Sequence, residues 1–389
     1  MRQLIRRRDL LAGAGSALVL GTLDGCRPAK LRPDSSERID LPPLRLDTDR
    51  ITAITVCTRP FRAEGPRLDV ERIGEKTVVH NYGHGGSGWS LSWGSGSEAM
   101  ARALATGERD IAVIGCGAIG LTSALLLQRV GARVTIYAKE LPPNVRSSLA
   151  TGIWSPDSRI CLAKYATPTF KQTWEEMARY SYRAYQSLLG LPGDPIEYFD
   201  HFFVREGVPG PTRRRDPADG RPPFAQLAPE LLSELELGHK SYPPGTHALG
   251  ERTLNRQTWM MFNINAYTRL LISDYVAAGG RIEIAVFNSR ADFSRLRQKT
   301  IVNATGYGAR ALFSDESIIP VRGQLARTVP QDNVRYGLSH KDVAFIPRRD
   351  GFVFQVLGDS DYYGYGDDGI MPDRAEAEHA IKTIAGLFA

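Results

Sequence analysis

Apolar residues fall into short runs punctuated by glycine, and the clearest is Asp110-Ile111-Ala112-Val113-Ile114. A continuous run of this length, rich in β-branched side chains, predicts a strand buried on both faces of a parallel sheet. After Gly115–Gly120 the apolar positions continue from Leu121 to Val130 and stop at Gly131, which predicts a helix with a glycine stop. Arg133 to Tyr137 then repeats the strand pattern. Ile51 to Pro60, with Cys57 expected to be buried in it, and Ile301-Val302-Asn303 read as further strands. A helix is expected over Ala266 to Ala278. Thr106-Gly107-Glu108-Arg109 is a turn-like connector, short enough to join spatial neighbours.

The first 26 residues do not belong to this pattern. Arg6-Arg7-Arg8-Asp9-Leu10-Leu11 precedes a weakly apolar stretch, Ala12 to Leu23, too short to span a membrane. A twin arginine ahead of such a stretch resembles a Tat export signal. Leu23-Asp24-Gly25-Cys26 resembles a lipobox that would tether the protein through a lipidated Cys26, although Asp24 fits that pattern poorly. Residues 27–50 are Pro-rich, charged and aperiodic, and read as a linker.

With 389 residues, 42% of them hydrophobic, the chain can bury the core of two domains. Its net charge of +6 is spread among interleaved acids, which argues against nucleic acid as a partner. The one dense basic run, Arg213-Arg214-Arg215, sits among Pro and Gly and reads as a solvated loop. Four cysteines make no disulfide framework in a chain this long. No spacing of Cys and His suggests a metal.

Gly115-Cys116-Gly117-Ala118-Ile119-Gly120 carries the first chemistry. Placed between strand and helix, with a second strand following, this is the order a Rossmann βαβ unit requires. Gly115 allows the tight turn, Gly117 lets backbone approach a pyrophosphate, and Gly120 lets helix and strand pack closely. The helix N-terminus offers N–H groups and a positive dipole end to phosphates. Glu140 lies where a ribose-binding acid belongs. The loop by itself does not separate FAD from NAD.

Four further segments do. Ser147-Ser148-Leu149-Ala150-Thr151-Gly152-Ile153-Trp154-Ser155-Pro156, Ile301 to Gly306, Val321-Arg322-Gly323-Gln324 and His80-Asn81-Tyr82-Gly83-His84-Gly85-Gly86-Ser87-Gly88 together resemble the D-amino-acid oxidase family of FAD-dependent oxidoreductases. The resemblance runs from about Thr52 to the end. It implies an α/β fold, with a FAD-binding Rossmann-type domain over 66–160 and 266–312. An interleaved mixed-sheet substrate domain would take 51–65, 161–265 and 313–389. In the family the His-Asn-Tyr-Gly-His-Gly-Gly loop closes the chain; here it precedes the GxGxxG loop, so the chain reads as circularly permuted.

The resemblance implies FAD contacts at Gly115, Gly117, Ala118, Ile119, Gly120, Lys139, Glu140, Ser147, Ser148, Thr151, Gly152, Ile153, Phe287, Thr305 and Gly306. It implies others at Gly85, Gly86, Ser87, Gly88, Trp89 and Ser90, whose backbone N–H groups would meet the flavin's pyrimidine end. Gly86 and Arg62 are implied at the reacting centre. Arg62, in Arg59-Pro60-Phe61-Arg62, resembles the arginine that grips a substrate carboxylate, with Arg59 the alternative. His84 reads as a structural hydrogen-bonder rather than a base. The implied reaction oxidises the C–N bond of an amino acid or amine to an imine, hydride passing to flavin N5 and oxygen leaving as peroxide; a dehydrogenase using another acceptor is the alternative. An exported scaffold that binds flavin without oxidase activity is the non-enzyme alternative. His340 to Pro347 lacks the family's substrate-side tyrosines, and Ser87 replaces a bulky aromatic, so the recognition pocket is expected to differ. Trp259, Phe262, Asn263 and Asn265 are expected at the pocket rim or in the core.

Overall fold

The computed structural model describes residues 38–206 and 220–389; the twin arginine, Cys26 and Arg213–Arg215 lie outside them. In chain order the elements are β1 (Ile51–Arg62), β2 (Val70–Ile73), β3 (Lys76–His80), α1 (Gly88–Leu104), β4 (Asp110–Ile114), α2 (Ala118–Arg129) and β5 (Arg133–Ala138). There follow α3 (Pro168–Gln186), β6 (Ile196–Glu206), α4 (Ala228–Leu231), β7 (Leu237–Tyr242), β8 (Arg252–Phe262), α5 (Ile264–Ala277), β9 (Arg281–Ile284) and β10 (Thr300–Asn303). The last are α6 (Ala309–Phe313), β11 (Ile318–Thr328), β12 (Tyr336–His340), β13 (Val343–Ile346), β14 (Phe352–Val356) and α7 (Arg374–Ala385).

These strands form two sheets. The order β2-β3-β10-β4-β5-β9 is parallel throughout except at its β2 edge. Its central strand β4 is apolar and buried from Ile111 onward, as a strand covered on both faces must be. The strand that leads into the His80–Gly88 loop is thus a neighbour of the dinucleotide strands, one place beyond β10. The second sheet, β1-β11-β14-β13-β12-β6-β8-β7, is mixed, with β12 and β6 parallel and the rest antiparallel.

Helix α1 lies against α2 and α3, and glycine makes that approach possible. A Cβ on Gly94 would stand 2.1 Å from the Met177 carbonyl oxygen of α3, and one on Gly96 3.2 Å from the Ser123 nitrogen of α2. Such a helix is poor by intrinsic propensity and gains its stability from packing. The Thr106–Arg109 turn delivers the chain to β4, where Arg133 N–H donates to the Arg109 carbonyl at 2.7 Å.

Residues Ile39–Ala389 form one compact unit. Residues 39–50, expected as part of a linker, are built into it. Leu41 and Leu44 are buried with Leu387 and α7 against the second sheet, and the Tyr336 hydroxyl donates to the Pro42 carbonyl at 2.6 Å. The two leucines find apolar partners in tertiary structure that no local period announces. Cys57 is another correction: it is half-buried. Among the described residues no helix is long and apolar enough to cross a membrane, and no His/Cys/Asp/Glu group could hold a metal.

Candidate active site

The loops after β3, β10, β4 and β5 all leave the C-terminal ends of neighbouring parallel strands, where open α/β sheets bind ligands. They open onto one cavity of about 2030 Å³ that continues to the second sheet. A pocket for one drug-sized ligand has roughly 300–1,000 Å³, so this space suits a long cofactor together with a substrate.

At the dinucleotide loop each glycine has a separate cause. Gly115 takes φ +111°, and a Cβ there would stand 2.4 Å from the Ala304 carbonyl oxygen. A Cβ on Gly120 would meet the Gly115 carbonyl oxygen at 2.0 Å, so Gly120 lies beneath the loop and packs helix on strand. Gly117, at φ −86°, caps α2 and faces the cavity, its only near neighbour being Ser147 Oγ at 3.1 Å from a would-be Cβ. That same hydroxyl oxygen accepts from Ala118 N–H at 3.1 Å. The N–H groups of Ile119 and Gly120 have no acceptor within the first helical turn. An open helix N-terminus beside a glycine that leaves its approach clear is what a pyrophosphate needs, so these residues fit FAD.

Gly115, Gly117, Ala118, Ile119, Lys139, Glu140, Ser147, Thr151, Gly152, Ile153, Phe287, Thr305 and Gly306 all line the cavity, with Gly85, Gly86, Gly88 and Trp89. Ser87, Ser90, Gly120 and Ser148 stand behind its wall. Ser87 Oγ donates to the Ser158 carbonyl at 3.1 Å, and Ser90 Oγ accepts from Ser155 N–H at 2.8 Å. The backbone N–H groups of Gly86 and Ser87, expected to face the flavin, are already taken by Ser158 and His84 carbonyls at 2.9 Å each. Of the expected donors, those left free at this end are the first residues of α1, Gly88, Trp89 and Ser90. The Trp89 indole N–H ties that end to the Ser147 carbonyl at 2.7 Å.

His84 is buried, and burial holds its imidazole near pKa 3, hence neutral. Its Nε2 meets Ser95 Oγ at 2.7 Å, and that hydroxyl donates to Asn81 Oδ1 at 2.5 Å. The group stiffens the loop. Cys161 is likewise buried, its thiol pushed up to about 12.

The two arginines part company. Arg62 is not in the cavity wall: its Nε donates to Ser317 Oγ at 2.8 Å, its Nη1 to the Gly65 carbonyl at 3.0 Å, and Asp315 lies 3.5 Å away. Arg59 lines the cavity and lays its guanidinium over Gly323, with Nη1 donating to the Arg322 carbonyl at 3.3 Å. A Cβ on Gly323 would come within 2.4 Å of both Nη1 and Nη2. Trp259 and Phe262 line the cavity, whereas Asn263 is buried on the Asp194 carbonyl and Glu197, and Asn265 is exposed.

Sequence reasoning missed Arg348. It is fully buried, pairs with Asp350 through two hydrogen bonds, and donates Nη1 to the Ala150 carbonyl at 2.8 Å, pinning the 150–152 loop to the second sheet. Arginine is read as a surface residue by default, so no local signal marked it.

A family model described as FAD dependent oxidoreductase (DAO) matches residues 110–389. The chain belongs to this family. Its match begins at the first residue of β4, so β1, the glycine loop and α1 all precede the matched span. The D-amino-acid oxidase of Rubrobacter xylanophilus is 26% identical over 287 residues, covering 71% of this chain and 76% of that one. The D-amino-acid oxidase of Streptomyces coelicolor is 30% identical over 220 residues, 56% of this chain and 59% of its own. Among solved structures, iminodiacetate oxidase from Chelativorans sp. BNC1 aligns with a TM-score of 0.48 at 15% identity, covering 71% of this chain and 79% of that one. The protein is therefore an FAD-dependent oxidoreductase of the DAO family, with an α/β fold of parallel and mixed sheets.

Proposed function

We propose that the protein oxidises the C–N bond of an amino acid to an imine, with Arg59, in place of the expected Arg62, holding the substrate carboxylate. The placement of Arg59 carries this reading: a guanidinium on the cavity wall, seated on a glycine, offers a planar fork to a carboxylate. FAD, when bound, supplies the two-electron oxidation. The carbonyl of Gly86, which lines the cavity and takes no hydrogen bond from the described backbone, suits the substrate amine. With carboxylate and amine both held, one Cα–H is left facing the cofactor side, and positioning is the protein's main contribution. His84 is neutral and engaged, so it supplies orientation rather than proton transfer. Molecular oxygen is the acceptor in this reading.

The test is anaerobic mixing of the purified holoenzyme with D- and L-amino acids and simple amines, followed in the visible flavin band. Bleaching by amino acids but not by the matching amines supports the reading, provided Arg59→Ala abolishes it and air restores the band quickly. Bleaching only by neutral amines, indifferent to Arg59, refutes it.

We also infer a circular permutation. The family match opening at Asp110 supports it, as do the cluster shared by Leu41, Leu44 and Leu387, which brings the segment before β1 against the end of α7, and the short Thr106–Arg109 turn from α1 into β4, where older ends could have been joined. Export by the Tat route rests on Arg7-Arg8 standing ahead of the weakly apolar stretch Ala12 to Leu23.

A further inference from the structure

The second sheet presents one face to α7 and the other to the cavity, and strand register sorts its residues between them. Phe345 and Phe354 belong to the α7 side. Leu325, Ile346 and Val353 belong to the opposite side, where Ile153 and Trp259 pack. Gln355 is two residues from Val353 and pairs with Ala344, so both point to the cavity face. Arg59 shares that face, because it pairs with Val321, two residues before Gly323.

Gln355 is 8% exposed and lines the cavity. Its Oε1 accepts from the Thr151 hydroxyl at 2.7 Å. No described group accepts from its amide nitrogen, which leaves two donors aimed at the cavity. That nitrogen is not sealed off from the cavity, and a ligand oxygen there can accept from it. Ala344, its small partner on β13, leaves the space above it open.

We propose that Gln355 is a specificity residue that reads a carbonyl oxygen on the substrate side chain, so that the preferred substrates are amino acids ending in a carboxylate or carboxamide. Gly323, under the Arg59 guanidinium, and Gln355 are separated by two residues along β11 and one strand across. Strand geometry makes that about 8 Å, and the Gln355 side chain reaches into the gap. A four- or five-carbon amino acid spans the remainder. The inference rests on Arg59 as the carboxylate anchor.

Propionate and succinate share the anchoring carboxylate and differ in the second one, so calorimetric titration of the holoenzyme with each isolates the Gln355 contribution. The wild-type protein should bind succinate about 10- to 100-fold more tightly than propionate, the scale of one hydrogen bond to a charged group. Gln355→Leu and Gln355→Met should each erase most of that margin while leaving propionate within about threefold. Flavin content and Tm report folding, and two differently shaped replacements guard against one that misfolds. A wild-type protein without the margin overturns the inference, as does a variant that keeps it or weakens both ligands alike. Arg59→Ala should weaken both. If it weakens neither while Gln355→Leu still erases the margin, the anchor reading fails and the Gln355 reading stands. If neither acid binds, both are overturned.

Discussion

Replacing Gly323 by alanine should damage substrate handling without touching the fold or the cofactor. The added Cβ would lie 2.4 Å from both terminal nitrogens of Arg59, about 1 Å inside ordinary contact. The collision is with the far end of a long side chain, and β11 is extended at this point, so the guanidinium yields and the strand does not. A displacement of about 1 Å in a positioning group costs about 100-fold, or about 2.7 kcal/mol. That places Gly323→Ala short of Arg59→Ala, which leaves a buried carboxylate unpaired at about 3–5 kcal/mol. The assay is the rate of anaerobic flavin reduction against substrate concentration, with Tm and flavin content measured alongside. A variant with unchanged kcat/KM would show that Arg59 does not depend on its seat. A large fall in Tm would show that the cost lies in packing instead.

Gly117→Val should purify with little or no flavin, since its branched side chain would occupy the mouth of α2 beside Ser147 Oγ; full flavin content on acid precipitation would mean the pyrophosphate lies elsewhere. Acid should destabilise the protein through its buried imidazoles. His84 and His201 are both held near pKa 3 by burial, so the unfolded chain takes up protons below about 6.5 that the folded one refuses. Stability is then full above that value and falls by up to about 2 kcal/mol per histidine at pH 5. His201→Phe, which keeps the stack on Trp259, should show a shallower fall of Tm between pH 7 and 5, and an identical slope would dismiss His201 as a source. Arg7→Lys/Arg8→Lys should leave the protein in the cytoplasm; normal surface delivery on fractionation would remove the Tat reading.

How much was legible in the sequence depended on the range of the interaction. The βαβ unit is local: apolar run, glycine turn and helix stop lie within thirty residues, and β4, α2 and β5 fall within a few residues of expectation. The choice between Arg59 and Arg62 is a matter of parity. They stand three apart on one strand, so they face opposite sides of the sheet, and only the pairing of β1 with β11 tells which side holds the cavity. Cys57, two before Arg59, follows it onto the cavity wall for the same reason. Gln355 was silent because its partner Thr151 lies about two hundred residues away, and Arg348 because its local pair with Asp350 gives no sign of burial against Ala150, equally distant in sequence.

Helix α1 has a consequence for how the chain is made. Its glycine-bearing middle seats on Met177, roughly eighty residues further along, and on α2 between them. At a synthesis rate of about 5–20 residues per second, the ribosome needs several seconds to deliver that seat. During this interval Leu91 and Trp93, both buried in the finished protein, have no permanent cover, so the nascent chain offers a chaperone its binding site early. Synonymous changes that slow translation between α2 and α3 should lengthen that exposure and lower the yield of soluble protein without altering a single residue.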